Sequence, residues 1–349
     1  MQKIRVMIID DTLVFRSFLT ATLSTDREVQ VVGSFGDATE ALERIPLLKP
    51  DVMTVDMEMP KMRGDEFMKI ALPKYPNLKA VVVSSVNGTV FDAMQSGAID
   101  FVAKPGSRPG YDNQQFAKEV IEKIKIAAAA RVQTSEEAAS ASTAGTVSAA
   151  QPTPALQCST AKSIIAIGAS TGGTEAILEV IKRFPIATPG VVVVQHMPQG
   201  FTEMYAQRAN SICKMEVREA KKGDRVQKGV VLIAPGGDSQ MHIKKDASGY
   251  YIHLVPSGKV SGHCPSVDVM FNSVAAVGGK DAVGVLLTGM GADGANGLHA
   301  MKRAGAFTIG QDEQSSVIYG MPKVAFDIGA VTKQLPLSSI GDAVLKRFS

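Results

Sequence analysis

Tryptophan is absent from this chain of 349 residues, and aromatic residues make up only 5% of it. That scarcity argues against the base-stacking platforms of single-stranded nucleic-acid binders. The three cysteines, Cys158, Cys213 and Cys264, are scattered and form no C-x-x-C pair. A disulfide framework and a thiolate zinc site are therefore not expected. No apolar run approaches the ~18 residues of a membrane span. The first apolar segment carries Asp10 and Asp11, unlike a secretory signal. Charge of one sign is also lacking. A formal net charge of +3 without a basic run gives no footprint for nucleic acid and none for direct membrane insertion. A cytoplasmic location is expected.

What is present is a globular composition, 45% hydrophobic and 20% charged, over a length that suits two domains. Short apolar runs at residues 4–9, 29–32, 52–55, 80–83 and 99–102 alternate with helix-like stretches at 14–24 and 39–47. A final amphipathic helix is expected at 114–129. Strands alternating with helices predict an α/β fold, a doubly wound parallel sheet covered on both faces. From residue 130 to 161 the chain turns rich in Ala, Ser, Thr and Gln, with Pro152 and Pro154. Such a segment buries too little apolar surface to offset its ordering entropy, so 127–161 reads as a flexible linker, helical at its start. Residues 162–349 again open with a strand and a helix. Further strands are expected at 191–195, 230–234, 282–288 and 307–309, with an antiparallel hairpin from 241–245 and 250–254. The chain thus reads as two mainly parallel α/β domains, 1–126 and 162–349, the second Rossmann-like with an antiparallel excursion.

The first domain carries carboxylates at predicted strand ends: Asp10 and Asp11 after the first strand, Asp56 after the third. In an open parallel sheet these ends share one edge, where ligands bind. Three carboxylates there repel one another unless a hard divalent cation compensates, and oxygen-only ligands suit Mg²⁺. Ser84 ends the fourth strand and Lys104 follows the fifth. A hydroxyl and an ammonium are what a phosphorylated aspartate needs to balance its added charge.

In the second domain, Gly168-Ala169-Ser170-Thr171-Gly172-Gly173 directly follows the apolar run 164–167. The G-x-S-x-G core matches a nucleophile elbow, whose glycines let a strand turn sharply into a helix and leave the serine hydroxyl exposed. The competing reading is a phosphate-binding turn in a phosphorylation-gated binding module, although Ser170 stands where a dinucleotide loop needs glycine. A serine nucleophile needs a base. His196 follows the strand 191–195, and Asp293 lies in the glycine-rich turn 289–294 after another strand. Hydroxyl, imidazole and carboxylate at three strand ends can converge as a triad. Backbone N–H groups after Ser170 and in the Met290 turn are candidates for holding an oxyanion. All five histidines lie in this domain. His242 and His253 fall in the hairpin and His299 in a helix, while His263, in a Gly- and Pro-containing loop, is the rival base. No spacing among them supports a zinc site.

With these residues in view, 1–126 resembles a response-regulator receiver domain, flavodoxin-like in fold. The resemblance implies Asp56 as phosphoacceptor, Asp10, Asp11 and Asp56 as Mg²⁺ ligands, Ser84 and Lys104 as phosphate-sensing residues, and Phe101 as the aromatic switch. Arg63-Gly64 departs from the family's usual Asp-Gly. Segments 168–173, 195–197, 262–271 and 288–294 resemble the methylesterase domain of chemotaxis protein-glutamate methylesterases. That second resemblance implies hydrolysis of glutamyl γ-methyl esters on methyl-accepting chemoreceptors, and deamidation of selected glutamines there. The ester chemistry needs no cofactor. It supports Ser170, His196 and Asp293 as the triad, Thr171 and Met290 as oxyanion binders, and His263 as a cleft-lining residue. A chemotaxis histidine kinase would be the phosphodonor, with the unphosphorylated receiver inhibiting the catalytic cleft.

Overall fold

The computed structural model describes residues 3–85, 90–106, 111–131 and 163–348. They fall into two compact units that part at residue 133. Apart from 127–131, the expected linker lies outside the described residues. Among the described residues no helix is long and apolar enough to cross a membrane.

The first unit runs β1 (Ile4–Ile9), α1 (Leu13–Ser24), β2 (Val29–Phe35), α2 (Ala38–Leu48), β3 (Val52–Val55), α3 (Gly64–Lys74), β4 (Lys79–Ser84), α4 (Val90–Gln95), β5 (Asp100–Ala103) and α5 (Asn113–Ala129). The strands form one sheet in the order β2-β1-β3-β4-β5, and every pairing is parallel. β3 is buried throughout, as a strand covered on both faces requires. The order reverses beside β1, so the loops after β1 and β3 open one crevice at the sheet's carboxyl edge.

The second unit runs β6 (Ile164–Ala169), α6 (Gly173–Ile181), β7 (Gly190–Gln195), α7 (Phe201–Ile212), β8 (Glu216–Glu219), β9 (Val230–Ile233), β10 (Ser239–Asp246), β11 (Gly249–Pro256), α8 (Val267–Gly278), β12 (Ala282–Leu286), α9 (Ala295–Arg303), β13 (Phe307–Gln311), α10 (Met321–Asp327), β14 (Lys333–Leu335) and α11 (Leu337–Leu345). Seven strands pair in the order β14-β13-β12-β6-β7-β9-β8, all parallel. The hairpin β10-β11 forms a separate two-stranded sheet. The buried strands β6, β7 and β12 make the centre, with Val267, Met270, Phe271 and Leu298 of α8 and α9 in the core beside them. Two edge strands, β8 and β14, have no counterpart in the sequence reading. Their residues, EVRE and KQL, are the short charged kind that sheet edges tolerate and apolar-run reasoning passes over.

Candidate active site and receiver pocket

Ser170 directly follows β6, His196 follows β7 on one side of it, and Asp293 follows β12 on the other. These three neighbouring strands meet where the strand order reverses, the place at which open α/β sheets bind ligands. The turn at Ser170 is pinned from below. Its N–H donates to the Thr288 carbonyl at 3.0 Å and its carbonyl accepts from Gly173 N at 2.7 Å. Gln195 Nε2 donates to the same Ser170 carbonyl at 2.8 Å. Gly172 takes a φ of +75° at the start of α6, a backbone state for which glycine pays no steric penalty. Gly168 has a different role from the one the elbow pattern suggests. It lies inside β6, and a Cβ there would come within 2.2 Å of Val267 Cγ1. Its job is to admit α8, not to bend the chain.

The imidazole of His196 is only 7% exposed, and its Nε2 lies 2.8 Å from Asp293 Oδ2. With Nε2–H donating to a carboxylate, Nδ1 carries the lone pair. Nδ1 is buried and has no hydrogen-bond partner, which leaves it as the nitrogen able to take a proton. Asp293 receives three further donors. Ser266 Oγ lies 2.7 Å from Oδ1, Asp268 N 3.0 Å from Oδ1, and Val267 N 2.7 Å from Oδ2. The carboxylate therefore sits on the amino end of α8, where backbone N–H groups lack intrahelical partners and favour negative charge. Burial works against its ionisation, but the hydrogen bonds from His196, Ser266 and Asp268 outweigh that and hold its pKa below the ordinary range. Asp268 returns the favour to α9. Its Oδ1 accepts from Gly297 N at 2.7 Å, while burial and the nearby Asp293 charge push its own pKa up.

The remaining sequence candidates divide clearly. Thr171 adjoins the serine, and its carbonyl accepts from Thr288 Oγ1 at 3.0 Å. Gly289, which precedes the exposed Met290, approaches so closely that a Cβ there would lie 2.8 Å from that of Ser170. His263 stacks on His196, with ring centroids 3.6 Å apart and planes inclined by 9°. His242 and His253 face each other across β10 and β11, and His299 lies in α9. Ser266, Asp268 and Gln195 were not singled out from sequence as parts of the site. For Ser266 a signal existed: a serine just before the apolar run 267–271 is a helix-capping pattern, and it does cap α8, accepting from Val269 N at 3.4 Å.

In the first unit, Asp10, Asp11 and Asp56 offer carboxylate oxygens that all lie within 4.8 Å of one another. Lys104 Nζ spans the cluster, 2.7 Å from Asp10 Oδ2 and 2.7 Å from Asp56 Oδ2. Burial pushes the Asp56 pKa up; Lys104 opposes this and the Asp10 charge reinforces it. Burial would lower the Lys104 pKa, yet its two carboxylate partners carry it above the usual value. The hydroxyl of Ser84 is buried without a hydrogen-bond partner. Phe101 meets Phe91 edge-on at 6.4 Å. Arg63 precedes α3, pairing with Asp65 at 3.0 Å while its N–H donates to Glu66 at 3.3 Å. The unusual Arg63-Gly64 pair therefore starts the helix normally.

Fold and sites together define a response regulator whose output half is a parallel-sheet hydrolase. Residues 165–344 match the model of the CheB methylesterase family, and residues 6–110 that of the response regulator receiver domain. The chain belongs to the CheB methylesterase family. Its relatives include protein-glutamate methylesterase/protein-glutamine glutaminase 2 of Syntrophomonas wolfei, 51% identical over 99% of this chain and 98% of that one. The protein-glutamate methylesterase/protein-glutamine glutaminase of Sulfurimonas denitrificans is 49% identical over 97% and 96%. The crystal structure of the Thermotoga maritima CheB methylesterase catalytic domain superposes with a TM-score of 0.52 at 35% identity, covering 53% of this chain and 98% of that chain.

Proposed function

We propose that this protein removes methyl groups from glutamyl γ-methyl esters of chemoreceptors, and deamidates glutamines there, with Ser170 as nucleophile. The enzyme is a carboxylic ester hydrolase by family. The observation that carries the residue assignment is the His196 ring, held at Nε2 by Asp293 and left with an unpartnered, buried Nδ1 at the strand end beside Ser170. Ser170 Oγ attacks the ester carbonyl and gives its proton to Nδ1. Asp293 steadies the imidazolium that results. The Thr171 and Met290 N–H groups hold the oxyanion. Collapse of the tetrahedral adduct expels methanol, or ammonia from a glutamine, which leaves with the Nδ1 proton. Water, deprotonated by the same nitrogen, then hydrolyses the acyl-serine and restores the enzyme.

Residues 1–126 act as the phosphorylated switch, 127–161 as its tether and 162–349 as the catalytic domain, all in the cytoplasm. Asp56 takes the phosphoryl group from a chemotaxis histidine kinase. Asp10, Asp11 and Asp56 fit Mg²⁺, since the set is oxygen-only and closely spaced. When bound, the ion supplies positive charge to the transferring phosphoryl group. The buried, unpartnered Ser84 hydroxyl and the Lys104 ammonium meet the phosphoryl oxygens in this reading, and Phe101 reports the change. Without phosphate the receiver inhibits the catalytic cleft.

Methanol release from membranes bearing methylated chemoreceptors tests the reading. Ser170→Ala is expected to abolish it, and a serine-directed fluorophosphonate should label the native protein at Ser170. Full activity in folded Ser170→Ala protein would refute the assignment. Deleting residues 1–155 is expected to raise the basal rate; an unchanged rate would remove inhibition from the scheme.

A further inference from the structure

The hydrogen bond from His196 Nε2 to Asp293 holds the far tip of the imidazole but does not set its plane. Rotation about the bond joining the ring to its Cβ leaves that tip close to the carboxylate while it swings Nδ1 sideways. The Nδ1 lone pair lies in the ring plane, so such a swing spoils proton transfer from Ser170 even with the Asp293 contact intact. His263 blocks that motion. Its ring lies flat against His196 at 3.6 Å, inclined by 9°, the spacing of two aromatic faces in contact.

His263 is itself held by its backbone. Val260 and His263 exchange both N–H···O bonds, each at 2.9 Å. The buried Gln240 side chain clamps the loop: its Nε2 lies 3.2 Å from the Gly258 carbonyl and 3.1 Å from that of His263, while its Oε1 accepts from Ser266 N at 2.8 Å. Ser266 in turn donates to Asp293. One braced loop, residues 258–266, therefore sets both the anchor of the catalytic imidazole and the surface it lies against.

We propose that His263 is a positioning residue, whose flat ring fixes the plane of His196 and aims Nδ1 at Ser170. It exchanges no proton in the reaction. An aromatic face is what the site requires there, and an imidazole is only one way to supply it. This inference rests on the triad reading and deepens it.

The test uses the full chain, activated by acetyl phosphate with Mg²⁺ and assayed by methanol release from methylated receptor membranes. A displacement of about 1 Å at a reacting group costs on the order of 100-fold in rate. His263→Ala and the space-filling but non-planar His263→Leu are therefore expected to lose roughly 10- to 100-fold in kcat, with KM little changed. His263→Phe is expected to restore most of the native kcat. The fluorophosphonate labelling rate at Ser170 should follow the same order, because it needs the same base without the receptor. An unchanged kcat in the Leu variant would overturn the proposal. A Phe variant as impaired as the Leu variant would overturn it too, since the imidazole's own nitrogens would then be needed. Ser170→Ala and His196→Ala, run alongside, separate the two readings. If either keeps native activity, the triad fails; if both are inactive while His263→Leu is unaffected, only the role of His263 fails.

Discussion

Asp293 and Asp56 each follow a central strand of a parallel sheet, β12 in one unit and β3 in the other. Both are buried, with 2% and 5% of their surface exposed. Their surroundings are opposite. Four donors converge on Asp293: Ser266 Oγ, two N–H groups at the start of α8, and the His196 ring. Its negative charge is compensated by fixed dipoles and its pKa is held down. Asp56 instead shares its edge with Asp10 and Asp11 and has the Lys104 ammonium at 2.7 Å and a long bond from Glu58 N at 3.4 Å as donors, so that burial and repulsion push its pKa up. Asp293, proposed to stay charged as the anchor of the base, is locked by backbone N–H groups. Asp56, the proposed phosphoacceptor, has fewer and longer donors besides Lys104, so that an incoming cation would improve its position.

The comparison breaks first at Asp293. In Asp293→Asn the amide presents its own N–H₂ to part of a donor set built for two oxygens. The His196 ring then loses the acceptor that fixes its tautomer. A fall in kcat of roughly 10⁴-fold is expected, read by methanol release from protein of native thermal stability within a few degrees. A loss of less than tenfold would mean that the donor cage does not serve the base. Next comes Asp56→Asn, expected to abolish stimulation by acetyl phosphate while leaving the unstimulated rate as it was. Residual stimulation would show that the crowded carboxylate is not the acceptor. Ser266→Ala sharpens the cage itself. Removing one charge-assisted bond to a buried carboxylate costs about 1.5–3 kcal/mol, so denaturant unfolding of the catalytic unit should shift by that much. The remaining three donors should keep most of the turnover.

Much of this arrangement was legible in the sequence because strand ends carry their chemistry on adjacent residues. Ser170 and His196 abut apolar runs, and Asp10, Asp11, Asp56, Ser84 and Lys104 do the same in the receiver unit. Parallel-sheet topology then brings such ends to one edge. What stayed hidden depends on contacts between segments distant in sequence. Ser266 and Asp268 sit one helix before Asp293, and nothing local says that their amino end faces its carboxylate. Gly168 reads as a bend until Val267 is seen to occupy the space of its missing Cβ. His263 reads as a rival base from its own residues and as a cleft-lining residue from the family resemblance; its stacking on His196 appears only in the parallel rings at 3.6 Å. The edge strands β8 and β14 were invisible for the opposite reason. Their pairing comes from neighbours, and their own residues lack any apolar run.

The smallest expected effect is thermodynamic, and it bears on both carboxylates at once. The folded pKa of Asp56 is raised, so its contribution to stability is present below its unfolded pKa and is lost as pH rises through the folded value. Asn at that position has nothing to lose. Asp56→Asn should therefore gain stability relative to the native chain between acid and neutral pH. Asp293 runs the other way. Its folded pKa is lowered, so its contribution is present above the unfolded pKa and disappears as pH falls through the folded one. Asp293→Asn should lose ground to the native chain as pH rises from below its folded pKa to the ordinary carboxylate range, mostly below about pH 4. Thermal melts of the two variants and the native protein at about pH 2.5, 4, 5.5 and 7 would record this as opposite slopes of the Tm difference, for Asp293 mainly below about pH 4 and for Asp56 above it. Slopes of the same sign would show that the two carboxylates are governed by one electrostatic rule, and the contrast between the locked and the reactive aspartate would fall.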